Sequence, residues 1–161
     1  MTKQCAVIGI GNTLLGDEGV GVHIVERLQR NYRFAPEISL IAGGCGGLNL
    51  YFILERYDPV IIIDALALHS GTPGSLHIIS GDELTGKETD GCSAHSVGIS
   101  DVLLLLHSLA ALPKDMVLVG IVPDSLDFGF RLSPIISEQV QPMEDIILQQ
   151  LHFRNIEVTK R

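Results

Sequence analysis

The chain has 161 residues, with 46% hydrophobic and 19% charged residues, a globular mixture that fits one domain with an ordinary core. Eleven Lys and Arg stand against nineteen Asp and Glu, a formal net charge of −8, and no basic cluster offsets it. That balance argues against nucleic acid as a partner and against anionic lipid. Three cysteines (Cys5, Cys45 and Cys92), none in a CxxC pair, do not form a secreted disulfide framework or a four-cysteine zinc site. The opening apolar run breaks at Gly9 and Gly11, too short for a signal peptide, and no segment reaches the roughly 18 apolar residues of a membrane span. A cytoplasmic protein without membrane insertion is the expectation.

In chain order, Cys5 to Ile10 reads as a strand buried on both faces and closed by the turn Gly9-Ile10-Gly11-Asn12. Val20 to Tyr32 carries Val20, Ile24, Val25 and Leu28 at helical spacing, with Asp17 and Glu18 before it, where acids suit the helix dipole. Ile38 to Ile41 is a second strand leading into the glycine cluster Gly43-Gly44-Cys45-Gly46-Gly47, and Leu48 to Tyr57 a second helix stopped before Pro59. Val60 to Ile63 is wholly β-branched and ends at Asp64. Gly74 to Ser80 reads as an edge strand, and Gly81 to Cys92 as an exposed loop. Ser96 to Leu109 fits a helix and Met116 to Val122 a buried strand. Ser133-Pro134 is an N-cap with proline in the first turn, opening a helix to about Phe153 that Pro142 is expected to bend or interrupt. Strands alternating with helices predict an α/β fold: a three-layer α/β/α sandwich on a mostly parallel twisted sheet of about five strands.

Such sheets place ligands at the carboxyl ends of their strands. Residues with chemistry collect there. Gly9-Ile10-Gly11 imitates the start of a dinucleotide fingerprint, but Leu14 holds the third glycine position and Asp17-Glu18 would oppose a pyrophosphate; the alternative is that the glycines turn the chain. Of two adjacent acids only one points into a given environment, which leaves Asp17 or Glu18 to face a cleft. Asp64, directly after a buried strand, is either an acceptor for a loop N–H or a ligand to a cation. His95 precedes a helix start, where the dipole keeps imidazole neutral and able to ligate metal. Cys92 is either a softer fourth ligand or an inert thiol. Glu18, Asp64 and His95 supply two oxygens and one imidazole, a set that suits Ni²⁺ or Zn²⁺.

The run Gly9-Ile10-Gly11-Asn12-Thr13-Leu14-Leu15-Gly16-Asp17-Glu18-Gly19-Val20-Gly21 resembles the opening signature of the [NiFe] hydrogenase maturation endopeptidases. Ile62-Ile63-Asp64-Ala65, His95-Ser96-Val97-Gly98-Ile99, Pro123-Asp124-Ser125-Leu126 and Leu132-Ser133-Pro134 extend the resemblance along most of the chain. It implies a peptidase that trims the C-terminal extension of a nickel-loaded large-subunit precursor. Glu18, Asp64 and His95 would engage nickel carried by the substrate, with zinc or cadmium able to substitute for binding. The same resemblance assigns substrate recognition to Gly43, Gly44, Cys45 and Gly46. That segment departs from the family's D-G-G-T-x-G pattern, with Ala42 and Cys45 replacing the acid and the threonine. Two rival readings are a metal-sensing chaperone that binds the precursor without cutting it and a nucleotide-binding α/β module.

Overall fold

The computed structural model describes residues 3–44, 48–66, 70–86, 104 and 106–161. Five strands form the central sheet: β1 (Ala6–Ile10), β3 (Ser39–Gly44), β4 (Val60–Ala65), β5 (Leu76–Ser80) and β6 (Met116–Ile121). Their order is β3-β1-β4-β6-β5, parallel except for β5, which pairs antiparallel with β6 at the edge. The α/β expectation and the edge position of the 76–80 strand are both met.

The apolar strands are buried on both faces and sort their side chains by parity. Along β4, Ile61 and Ile63 join one core cluster while Val60 and Ile62 join the other; along β6, Val117 and Val119 oppose Met116 and Leu118 in the same way. On the first face lie α1 (Val20–Asn31), contributing Ile24, Val25 and Leu28, and α4 (Pro134–Phe153), contributing Ile136, Met143 and Ile147. The second face is covered by α2 (Leu48–Arg56) through Leu50 and Leu54, by Leu84 of α3 (Gly81–Gly86), and by Leu106. Each such side chain, removed fully from water, contributes roughly 1.5–3 kcal/mol. Among the described residues no helix is long and apolar enough to cross a membrane.

Three expectations need correction. The stretch after Ser80 is not all loop: residues 81–86 form α3, because Ser80 and Glu83 close a capping box. Glu83 Oε2 accepts from the Ser80 N–H at 2.9 Å, and Ser80 Oγ accepts from the Glu83 N–H at 3.3 Å. Residues 87–92 lie outside the described residues. Pro142 does not interrupt α4, which runs through it from Pro134 to Phe153. Pro142 and Glu138, whose carbonyl loses its helical donor, are both exposed, so water covers the missing bond. Third, the first helix ends at Asn31, and Tyr32 opens β2 (Tyr32–Ala35), which pairs antiparallel with β7 (Glu157–Lys160). Of the 96–109 helix, residues 104 and 106–108 are described and helical.

Two buried carboxylates tie together segments that are distant in the chain. Glu144 on α4 accepts from Tyr32 Oη at 2.8 Å and from Arg27 Nε at 2.9 Å, joining α4 to α1 and β2. Asp17, in a 3-10 turn over Gly16–Gly19, is fully buried. Its Oδ2 accepts from the N–H groups of Asp124 (3.0 Å) and Ser125 (2.9 Å) and from Ser133 Oγ (2.8 Å), and its Oδ1 accepts from the Ser133 N–H at 2.6 Å. One carboxylate thus fastens the turn after β1, the loop after β6 and the start of α4. Bonds of this kind contribute about 1.5–3 kcal/mol each, and orphaned donors cost comparably.

Asp17→Asn keeps the volume but removes the charge and turns an amide donor toward a cluster in which three of the four partners are backbone N–H groups that can only donate. We expect it to lose roughly 3–5 kcal/mol of stability in urea denaturation, and Ser133→Ala about 1–2 kcal/mol. A midpoint for Asp17→Asn equal to that of the unsubstituted protein would contradict this role.

Candidate metal and peptidase site

The rim at the carboxyl ends of β1, β3 and β4 is assembled by close backbone approach. Gly11 sits at φ +130°, and a Cβ there would lie 1.7 Å from the Glu18 carbonyl oxygen. A Cβ on Gly21 would lie 2.4 Å from the Ile63 carbonyl oxygen and 2.6 Å from that of Ile10. These glycines press the 3-10 turn and the first turn of α1 onto the ends of β1 and β4. Their spacing serves packing of chain against chain, which is the turn-forming reading and not the nucleotide one.

That packing separates the fates of the adjacent acids. Asp17 is consumed by its four donors, while half-buried Glu18 is not tied down. Among the described residues Glu18 makes no side-chain hydrogen bond or ion pair. Asp64 follows Val60 and Ile62 on the α2 face of β4 and opposes Gly120 of β6. Its Oδ1 accepts from the Ala65 N–H at 2.8 Å. It has no cation for a partner among the described residues, although only 7% of its surface is exposed. Burial pushes its carboxyl up to about 7; the Ala65 N–H opposes that rise, and the negative charge of Glu18 adds to it. Of the alternatives read for Asp64, the N–H acceptor is seen, with the donor in the strand itself at Ala65 rather than in a loop.

Glu18 and Asp64 are therefore close enough for one charge to act on the other. Two carboxyl groups of like sign, one of them buried, are a donor set that a divalent cation would relieve, so these residues fit a metal. His95 and Cys92 lie outside the described residues, and among the described residues no group of three or more metal-binding side chains is gathered. Of the segment assigned to recognition, Gly43 and Gly44 are described, whereas Cys45 and Gly46 are not. Gly43 and Gly44 end edge strand β3 at the same rim. The register slips by one residue between Gly9 and Ile10, and the Gly44 carbonyl accepts from the Gly11 N–H at 2.7 Å.

What sequence reasoning missed is the partner of Asp17. Ser133 is legible as an N-cap, and its Oγ does accept from the Ile136 N–H at 3.4 Å, but the same hydroxyl donates to Asp17 across 116 positions. No spacing rule reaches that far.

A carboxyl held near 7 in the folded chain and near 3.8 in the unfolded one makes the fold lose stability as pH rises between those values, because the unfolded chain ionises first. Above about 7 the penalty is constant. Asp64→Asn removes it. With chelator present, we expect that variant to exceed the unsubstituted protein by roughly 2–4 kcal/mol at pH 8, the gap closing toward pH 4. Denaturation midpoints across that range check it; a variant less stable at pH 8 would contradict burial of an unpaired carboxylate.

Comparison with known proteins agrees with this architecture. The family model described as hydrogenase maturation protease matches residues 22–150. The hydrogenase 2 maturation protease of Escherichia coli K12 is 33% identical over 155 residues, which cover 96% of this chain and 94% of that protein. The hydrogenase expression/formation protein HoxM of Azotobacter vinelandii is 34% identical, over 96% of this chain and 75% of that one. Among solved structures, the hydrogenase maturating endopeptidase HybD of E. coli superposes with a TM-score of 0.85 at 31% identity, covering 98% of both chains. The [NiFe] hydrogenase maturation protease HybD of Thermococcus kodakarensis gives 0.72 at 25% identity, over 91% of this chain and 98% of that one. The chain belongs to the hydrogenase maturation protease family, a family of peptidases.

Proposed function

We propose that this protein is the endopeptidase that removes the C-terminal extension of a [NiFe] hydrogenase large-subunit precursor, and that it recognises the precursor through nickel already inserted there. The observation that carries the reading is the split between adjacent acids: Asp17 is locked into the fold, and Glu18 is left near the buried carboxyl of Asp64, which has no cation for a partner among the described residues. A carboxyl group buried next to a second negative charge is costly to the fold, and a bound cation would relieve that cost. Family membership supplies the reaction class.

In this reading Glu18, Asp64 and His95 hold the substrate's nickel, with the imidazole neutral and the carboxylates ionised. Bound nickel supplies a Lewis acid beside the scissile bond, which favours attack by water at the carbonyl. Asp64, whose proton is held up to about 7, gives up that proton when the cation arrives, so engagement strengthens from acid to neutral pH. Gly43, Gly44, Cys45 and Gly46 form the rim against which the precursor chain lies, with the glycines allowing close approach of its backbone. No cysteine or serine nucleophile is required. Zinc or cadmium would occupy the same donors in the free protein, and the proposed location is the cytoplasm.

Mass spectrometry of a large-subunit precursor incubated with this protein tests the proposal. A shortened product is expected from nickel-loaded precursor and none from nickel-free precursor. His95→Ala is expected to abolish cleavage with the thermal midpoint unchanged. Glu18→Gln is expected to weaken nickel binding by at least about tenfold, since loss of even an outer partner has effects of that size. Equal cutting of nickel-free precursor would overturn nickel recognition, and normal processing by His95→Ala would overturn the ligand set.

A further inference from the structure

The loop between β6 and α4 presents apolar surface that the fold does not use. Phe128 is 77% exposed, Phe130 65% and Leu126 43%, and Leu14, on the turn before Glu18, is 42% exposed. None of the four belongs to either core cluster. The two rings nonetheless hold one another, with centroids 6.2 Å apart and planes at 66°. The backbone beneath them is fixed. The Gly129 N–H donates to the Leu14 carbonyl at 2.8 Å, the Gly16 N–H donates to the Gly129 carbonyl at 2.9 Å, and the Asp17 carboxylate clamps Asp124 and Ser125 behind them. Exposed aromatic side chains on a loop tied down this firmly are held out for contact, and an apolar surface of this kind marks a place where another molecule binds.

Beside the rings opens a cavity of about 440 Å³, walled by Gly16, Ser125, Phe128, Phe130 and Arg131 and reaching Asp17 and Ser133. The cavity wall carries Asp127 and the internally bonded Asp17 against Arg131, and exposed Asp124 adds a second surface acid to the same loop. A second copy of this chain would bring the same acids against these, in a molecule whose net charge is −8. A partner with basic residues beside apolar ones meets both features.

We propose that Leu14, Leu126, Phe128 and Phe130, with the adjoining cavity, are the docking surface for a segment of the substrate polypeptide in which apolar side chains are flanked by lysine or arginine. This rests on the peptidase reading, because it supplies the polypeptide. Leu14 lies on the turn that carries Glu18, and Gly129 bonds the aromatic loop to that turn, so the segment bound here is held beside the proposed cutting site. The aromatic side chains supply affinity, and the acids steer approach and set the salt dependence.

The test is binding and cleavage of the nickel-loaded large-subunit precursor encoded in the same genome, by the unsubstituted protein and by Phe128→Ala/Phe130→Ala. The double variant is expected to bind precursor at least tenfold more weakly, with its thermal midpoint and its affinity for free nickel unchanged. Asp124→Asn/Asp127→Asn is expected to slow association severalfold at low salt and to flatten its salt dependence. Should the double variant fold poorly, each single alanine variant provides the same comparison. Equal precursor binding by the aromatic variants overturns the docking surface and leaves the peptidase reading standing. So does a dimer in sedimentation that these substitutions dissolve without altering precursor binding, since the occupant would then be a second copy. If the unsubstituted protein neither binds nor cuts the precursor, the peptidase reading fails and the docking surface fails with it.

Discussion

A single buried carboxylate organises the functional end of this protein. Asp17 takes donors from Asp124, Ser125 and Ser133 and fastens three segments that the chain otherwise leaves apart: the turn after β1, the loop after β6 and the first turn of α4. An isolated carboxylate could not stay at this depth, and four donors remove the objection. Asp17 points inward to these groups, whereas Glu18 makes no side-chain hydrogen bond among the described residues and its charge acts on Asp64 at the end of β4. Two identical charges, adjacent in sequence, thus differ in role: one is bound by the protein, and the other is the one we propose faces the metal.

The sheet supplies the second half of the arrangement. Parallel pairing of β1, β4 and β6 brings their carboxyl ends to one rim. The glycines at 11 and 21 let the turn and helix settle onto that rim at distances no side chain would permit. Asp64 arrives there at the end of a wholly apolar run and keeps one oxygen on the Ala65 N–H. Its raised proton affinity reflects the cost of burying a carboxyl group that has no cation for a partner among the described residues. The metal set we propose would offset that cost.

Much of this was legible in the residues, and the rest was not, for identifiable reasons. Apolar β-branched runs bounded by Gly, Pro and Asp announce buried strands, which is why Val60–Ile63 and Met116–Val122 could be placed almost to the residue. Ser133-Pro134 announces a helix start by capping chemistry that needs no tertiary contact. By contrast, β2 and β7 are four residues each and pair over more than a hundred positions, so neither is a strand without the other. The α3 helix hid behind its own glycines, although the Ser80–Glu83 box was in view. Pro142 misled because a lost hydrogen bond matters only where solvent cannot replace it. In the site, the adjacency of Asp17 and Glu18 showed that their roles must differ; which acid took which role depended on donors more than a hundred residues away.

The central claim is that division of labour, with Glu18 and Asp64 facing a cation and Asp17 withheld from it. Anomalous diffraction from crystals soaked in nickel or cadmium addresses it most directly. A single strong peak is expected, with oxygens of Glu18 and Asp64 and the His95 imidazole at about 2.0–2.5 Å, and with Asp17 still on its four donors. A peak ligated by Asp17, or one that neither Glu18 nor Asp64 touches, would contradict it.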